Sequence, residues 1–161
     1  MQNRAYKNYI FDFYGTLVDI LTDEKDTVLW DKLGQLYQAY GAAYEGETLK
    51  KAYAKRVDQA RKELMELKGV AYPEIDLAHI FNQLYVDARP QSSNSNQPED
   101  WGQLIAMVFR VLSRKHVTAY PHTKEVLAFL KEQGCRIYLL SNAQAAFNNA
   151  EIDLMALRPY F

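Results

Sequence analysis

The stretch Tyr9–Asp19, YIFDFYGTLVD, decides the expected fold of the chain. It begins with the bulky, β-prone residues YIF, which predict a buried strand over residues 6–13. Asp12 lies near the carboxyl end of this strand, and Gly15 breaks the strand shortly afterwards. Open α/β sheets bind their ligands at this end of the strands. The pattern therefore indicates that the Asp12 carboxylate attacks an electrophile and forms an aspartyl intermediate, with a plain turn cap as the alternative.

The composition excludes several classes of protein. The 161 residues suffice for one ordinary domain or a small domain with an insertion, and 48% hydrophobic residues allow a real core. A net charge of −1 gives no long-range attraction to nucleic acid or to an anionic membrane, so neither is an expected partner. No apolar run approaches the roughly 20 residues of a membrane helix. The single cysteine, Cys135, excludes an intramolecular disulfide and favours a cytoplasmic location.

Four amphipathic helices are predicted after the first strand and a short apolar turn over residues 14–22. Helical spacing of apolar residues places them at about 23–40, 47–68, 76–87 and 99–115. The polar segment Gln91–Gln97 has no periodicity and predicts a mobile loop. Four helices in a row exceed the length of a β-α-β crossover, so they predict an inserted helical bundle.

The α/β pattern resumes after the bundle. A helix beginning near Pro121 precedes the apolar run 135–140, CRIYLL, which predicts a second strand, and a last helix follows at about 143–149. Ser141 and Asn142 stand at the carboxyl end of the second strand. The Ser141 hydroxyl and the backbone N–H of Asn142 are suited to hold the negative charge that grows when a carboxylate attacks. An ordinary strand-to-helix cap is the alternative role for these two residues.

Both segments resemble motifs of the haloacid dehalogenase superfamily. Tyr9–Asp19 is similar to its first motif, hhhhD-x-[D/Y]-G-T-L-[V/F]-D, and Tyr120–Asn142 is similar to the segment that leads through its second motif. The resemblance implies an α/β fold. Residues 1–20 and 119–161 would form a partial Rossmann-like core with parallel strands, and residues 21–118 would form an inserted all-α helical-bundle cap that closes over the site.

The resemblance also implies roles for single residues. Asp12 would be the nucleophile, Thr16 would orient it, and Ser141 would complete the catalytic set. Substrate contacts are expected from Tyr14, Gly15, Ser141 and Asn142. The expected cofactor is Mg²⁺, held by the Asp12 carboxylate and the backbone carbonyl of Tyr14. The leading expected function is phosphatase-like hydrolysis of a phosphorylated small molecule.

Two departures from the family pattern leave other functions open. Tyr14 stands where phosphatases of the family carry a second Asp that moves protons, whereas haloacid dehalogenases carry Tyr there. Those dehalogenases resemble one another in an Arg directly after a Trp on the first cap helix, which binds the substrate's carboxylate and halide. Here Asp31 follows Trp30, and an acid in place of that Arg argues against a haloacid substrate. The alternatives are therefore a 2-haloacid dehalogenase-like hydrolase and a non-catalytic interaction protein that keeps the scaffold.

The sequence ends 19 residues after Asn142, before the family's Lys and its final acidic motif. We therefore expect a truncated or partial member with little or no turnover. The two predicted strands leave both edges of the sheet open, which favours a homo-oligomer or a swapped dimer.

Overall fold

The computed structural model describes residues 6–89 and 98–161, so the loop predicted at Gln91–Gln97 lies outside the described residues. The chain divides into two compact units. The α/β unit contains the described residues up to Thr22 together with Arg114–Phe161, and the helical unit is Asp23–Ser113. None of the helices in the two described ranges is long and apolar enough to cross a membrane.

The elements follow one another in the order of two strands, four helices and a second α/β segment. Their bounds are β1 (Asn8–Phe11), β2 (Val18–Thr22), α1 (Thr27–Ala39), α2 (Gly46–Lys68), α3 (Leu77–Ala88), α4 (Trp101–Ser113), β3 (Arg114–Ala119), α5 (Thr123–Glu132), β4 (Arg136–Leu139), α6 (Ala145–Leu154) and a 3₁₀ turn at Arg158–Tyr160. The predicted fold class, α/β with parallel strands and an inserted all-α bundle, is confirmed.

The α/β unit is organised around the parallel pair β1–β4. Alternate residues of these strands point into a core that also contains residues of the helices and of the segment after β1. The buried members of this core are Phe13, Leu17, Val18, Leu127, Leu130, Cys135, Ile137, Ile152 and Leu157. The other face of the pair exposes Ile10, Tyr138 and Leu140. The alternation of buried and exposed side chains is what a strand with one covered face requires.

The helical unit is built around aromatic side chains. The rings of Tyr37 and Trp101 meet edge to face with centroids 5.3 Å apart, and those of Tyr53 and Phe81 stack at 5.3 Å. The Tyr37 hydroxyl donates a hydrogen bond to the backbone carbonyl of Phe81 at 2.8 Å. Burial raises the pKa of Tyr37 far above its usual range, so this phenol stays neutral and remains a donor.

The structure corrects two predictions at the junctions between the units. The turn predicted over residues 14–22 contains the strand β2, and the helix predicted to continue to residue 115 ends at Ser113, where β3 begins. The strands β2 and β3 pair antiparallel, with Asp19 opposite Thr118. Both segments are short, and their polar and apolar residues do not alternate strongly. They form strands because they pair with each other across about 95 residues of chain.

The predicted start of the first helix is also wrong. Helix α1 begins at Thr27 rather than near residue 23, because the carboxylate of Asp26 accepts the backbone N–H of Val28 at 2.9 Å and caps the helix. Asp23 instead accepts the N–H of Lys25 at 2.9 Å and turns the chain before the helix. The last helix covers residues 145–154 rather than 143–149.

Candidate active site

Asp12 and Ser141 follow the same ends of two hydrogen-bonded parallel strands. Phe11 is the register partner of Leu139, and the backbone N–H of Leu140 donates to the carbonyl of Phe11 at 2.9 Å. Neighbouring strands lie about 4.8 Å apart. The structure therefore brings the predicted acid and the predicted hydroxyl to one edge of the sheet, each one or two residues beyond a paired position.

The carboxylate of Asp12 is exposed because of the strand's alternation. Phe11 and Phe13 on either side of it point toward the core, and Phe13 is fully buried, while Asp12 shares the exposed face with Ile10. One oxygen of Asp12, Oδ1, accepts the backbone N–H of Phe13 at 2.7 Å. This bond to the adjacent residue favours one orientation of the carboxylate, and Oδ2, its other oxygen, accepts no hydrogen bond within the described residues.

A tight loop after Asp12 is held by backbone groups rather than by Asp12. The carbonyl of Phe13 accepts the N–H groups of Leu17 and Val18 at 2.9 and 3.0 Å. Gly15 has a φ of +74°, a conformation that favours glycine, and its N–H donates to the carbonyl of Val18 at 2.8 Å. Because the loop closes on the Phe13 carbonyl, the Asp12 side chain does not serve as its main cap.

The start of α5 anchors this loop from the other side. The hydroxyl of Thr123, which is buried, donates to the carbonyl of Leu17 at 2.9 Å, and the N–H of Tyr120 donates to the same carbonyl at 3.0 Å. Both lone pairs of one carbonyl are thereby used. The loop that carries Tyr14, Gly15 and Thr16 is thus tied to a helix of the same unit.

Ser141 and Asn142 do not form the N-terminal cap of α6. That helix begins at Ala145 with Gln144 as its cap residue, and the Ser141 hydroxyl oxygen instead accepts the N–H of Ala143 at 3.4 Å, a long bond. Ser141 is half-buried and Asn142 is exposed. Gln144, rather than Ser141 or Asn142, therefore stands at the cap position of α6, while Ser141 closes a short turn with Ala143.

The structure does not join every predicted site residue to Asp12. Thr16 and Gly15 are exposed in the loop, and among the described residues no hydrogen bond links the Thr16 hydroxyl to Asp12. The orienting role expected of Thr16 therefore stays a prediction. Tyr14 is half-buried, and its ring meets that of Phe13 edge to face with centroids 4.8 Å apart.

The sequence analysis missed two residues near Tyr14. Glu151 contacts Tyr14 directly, and Arg114 contacts Glu151. Glu151 on α6 is almost fully buried, with 1% of its surface exposed, and its Oε2 accepts the Tyr14 hydroxyl at 2.5 Å. Its Oε1 accepts a guanidinium nitrogen of Arg114, the first residue of β3, at 3.1 Å. The sequence did contain a sign of this contact. Glu151 lies on the same face of α6 as the buried Phe147 and Ile152, and an acid on a buried helix face indicates a buried partner.

Apart from Asp12 and the Tyr14 carbonyl, the described residues supply no cluster of metal-ligating side chains. Within residues 6–89 and 98–161, no group of three or more His, Cys, Asp or Glu side chains lies close enough together to hold a metal ion. Mg²⁺ prefers an octahedral set of oxygens, with one or two carboxylates and several waters or phosphate oxygens. Asp12 and the Tyr14 carbonyl remain the predicted protein ligands.

Solved structures similar to this chain include dehalogenases and a phosphatase-like protein. L-2-haloacid dehalogenase from Xanthobacter autotrophicus is 18% identical, with a TM-score of 0.38, over 97% of this chain and 54% of that one. Another dehalogenase is 19% identical, with a TM-score of 0.43, over 98% of this chain and 60% of that one. A predicted phosphoglycolate phosphatase from Haemophilus somnus is 16% identical, with a TM-score of 0.41, over 97% and 60%.

The chain spans between 54% and 60% of the length of these three structures. No curated protein matches the chain. A family model does match, and its match begins at Tyr6, before β1, and continues to Phe161. Since residues 6–161 match the model for haloacid dehalogenase-like hydrolases, the chain belongs to that family of hydrolases.

Proposed function

We propose that Asp12 is the nucleophile of a phosphatase-like hydrolase acting on a phosphorylated small molecule. The observation that carries the proposal is the register of β1 and β4, which sets Asp12 and Ser141 at the same strand ends. In open α/β sheets this edge is where ligands bind. The exposed carboxylate of Asp12 is accessible to a substrate from solvent.

The proposed reaction has two steps. An Asp12 oxygen attacks phosphorus, the bond from phosphorus to the leaving oxygen breaks, and that oxygen departs with the electron pair. Water then attacks the phosphorus of the aspartyl phosphate, which releases inorganic phosphate and restores the Asp12 carboxylate. The Ser141 hydroxyl and the backbone N–H of Asn142 donate hydrogen bonds to the phosphoryl oxygens, where charge builds up.

The cofactor, the oligomeric state and the location are part of the same proposal. The Asp12 carboxylate and the Tyr14 carbonyl would hold Mg²⁺, and the ion would supply positive charge that neutralises a phosphoryl group. The exposed face of β1–β4 supports a homo-oligomer, which solution size would test. Cys135 is buried, and a reducing cytoplasm is the proposed location.

The direct test compares the chain with its Asp12→Asn variant, using p-nitrophenyl phosphate and Mg²⁺. Replacing a nucleophile by its amide should lower kcat by roughly 10⁴-fold. The matched control is Asp19→Asn, which also changes an acid to an amide in the α/β unit but removes only a contact to His116 at 3.3 Å. Turnover that is equal in the two variants would refute the nucleophile assignment. Absence of turnover from every form would leave the nucleophile assignment without support.

A dehalogenase-like reaction is the second candidate, because Tyr14 is not an acid that readily protonates an oxygen leaving group. Halide release from 2-chloropropionate tests it. Turnover in water labelled with ¹⁸O distinguishes the two reactions by whether the label enters the Asp12 carboxylate. An aspartyl ester is hydrolysed at the carboxyl carbon, which puts label into Asp12, whereas an aspartyl phosphate attacked at phosphorus leaves Asp12 unlabelled.

A further inference from the structure

A buried ionic cluster lies beneath the loop that follows Asp12. Its centre is Glu151, and each of its carboxylate oxygens has a partner, the Tyr14 hydroxyl at 2.5 Å and the Arg114 guanidinium at 3.1 Å. An ionised carboxylate with 1% of its surface exposed is costly unless it is paired and hydrogen-bonded. The cluster therefore has one favourable arrangement, in which both partners donate to Glu151.

The cluster joins three separate segments of the α/β unit. Tyr14 lies two residues after Asp12, Arg114 begins β3, and Glu151 lies on α6. The tyrosine is 137 residues from its acceptor in the sequence, so no local preference produces the contact. The arginine side chain is only 22% exposed, which keeps the ion pair largely out of solvent.

The chemical consequence concerns the hydroxyl proton of Tyr14, which is the only acidic proton of that side chain. A phenol has one O–H to donate, and a hydrogen bond to a carboxylate is stronger than one to a neutral acceptor. As long as the Tyr14 hydroxyl donates its hydrogen bond to Glu151, it cannot also donate its proton to an oxygen that departs from a phosphoryl group. Tyr14 is the ionisable residue nearest to Asp12 in the sequence, and its hydroxyl is thus bound to Glu151.

We propose that Glu151, held by Arg114, is a positioning residue that keeps the Tyr14 proton out of the reaction, so that the site accepts substrates whose leaving group departs without a proton. Such substrates are acyl phosphates and phosphate esters of acidic phenols, whose leaving oxygens are stable as anions. This inference rests on the proposed function, because it assumes that Asp12 attacks the phosphorylated substrate.

The test measures kcat/KM for acetyl phosphate and a series of aryl phosphates of graded leaving-group acidity. In the unchanged protein the rate should fall steeply as the leaving group becomes less acidic. Tyr14→Phe should change kcat/KM by the same factor for every substrate of the series, so that the slope stays the same. If Tyr14→Phe steepens the slope in the otherwise unchanged protein, Tyr14 already donates its proton and the proposal is overturned.

The double variant Arg114→Met with Glu151→Leu is designed to remove the partner of the Tyr14 hydroxyl without leaving an unpaired buried charge. Replacing a buried ion pair by apolar side chains of similar volume is often neutral for stability. In this background the Tyr14 hydroxyl is no longer bound to Glu151, and the rate for the least acidic leaving group should rise by at least about tenfold relative to the most acidic one. Adding Tyr14→Phe should abolish that rise. A slope identical to that of the unchanged protein would overturn the proposal.

A measurement without turnover separates failure of this inference from failure of the proposed function. In protein labelled with ¹³C at the tyrosine Cζ atoms, the signal lost in Tyr14→Phe identifies Tyr14, and Tyr9→Phe is the control from the preceding strand. The identified signal should move when Arg114→Met and Glu151→Leu are introduced. If it stays, Glu151 does not position Tyr14, whatever the activity of Asp12.

Discussion

At the scale of single residues, Gly102 shows how closely two helices approach. It lies in the first turn of α4, and a Cβ atom at this position would come within 2.1 Å of the backbone carbonyl oxygen of Ala78 on α3. Real carbon and oxygen atoms do not approach so closely, and backbone cannot move aside as the end of a side chain can. The glycine therefore sets the distance between α3 and α4.

We predict that Gly102→Ala lowers the free energy of unfolding by about 2 kcal/mol. Overpacking costs typically about 1–3 kcal/mol, and a clash with backbone belongs at the upper end, whereas the better helix propensity of alanine returns about 1 kcal/mol. Urea unfolding followed by circular dichroism measures the change. The neighbouring exposed substitution Gln103→Ala should change stability by less than about 0.5 kcal/mol. A Gly102→Ala protein as stable as the original would show that the helices separate freely.

Single residues also mark the limit of what the sequence predicted about the site. Asp12 and Ser141 were predictable, because each follows an apolar strand and parallel strands end at the same edge of a sheet. The contact between Tyr14 and Glu151 was not, because it depends on how α6 packs against a loop far away in the sequence. An acid in the apolar register of a helix indicates a buried partner, but it does not say which one.

At the scale of elements, an ion pair ties the 3₁₀ turn at Arg158–Tyr160 to α6. The guanidinium of Arg158 donates to both oxygens of Asp153, through Nη2 at 2.9 Å to Oδ2 and through Nε to Oδ1, and it also bonds the carbonyl of Asn149 at 2.9 Å. These hydrogen bonds lower the pKa of Asp153 from its ordinary value of 3.8. The ionised form is thus favoured by folding.

The sign of the resulting pH dependence follows from linkage. A carboxyl whose pKa is lowered by folding stabilises the protein above its ordinary pKa, and the contribution is lost as pH falls through the lowered value. We therefore expect Asp153→Asn to lower Tm slightly at neutral pH and not at pH well below 3.8. The effect is small because both side chains are about half exposed, and added salt should reduce it. A penalty that is equal at both pH values would contradict the ion-pair explanation.

The elements themselves were predictable to different degrees. The four long helices followed from the spacing of their apolar residues, because a helix with one buried face repeats every 3.6 residues whatever lies opposite. The strands β2 and β3 did not follow from the sequence, since VDILT and RKHVTA are short and their pairing is non-local. The end of α4 was misplaced for the same reason, because the pairing of β3 begins at Arg114.

At the scale of the whole molecule, the helical unit has the features of a part that folds by itself. Its core is aromatic, with Trp101 in contact with the rings of Tyr37, Tyr40 and Tyr85. Its two ends are adjacent, since the backbone N–H of Asp23 donates to the carbonyl of Ser113 at 2.8 Å. Adjacent ends mean that the unit can be inserted into another fold, or cut out of it, without distorting its core.

We predict that a protein of residues 23–113 alone folds cooperatively. The aromatic rings that contact one another in its core all come from within this range, so the fragment keeps both partners of each of these contacts. Near-ultraviolet circular dichroism should report fixed aromatic rings, and urea unfolding should follow a single transition. Trp101→Ala in the same fragment should cost about 3–5 kcal/mol, because a large buried ring leaves a cavity. A fragment that keeps helical far-ultraviolet signal but lacks the near-ultraviolet signal would be a molten globule, and the helical unit would then need the α/β unit to pack its core.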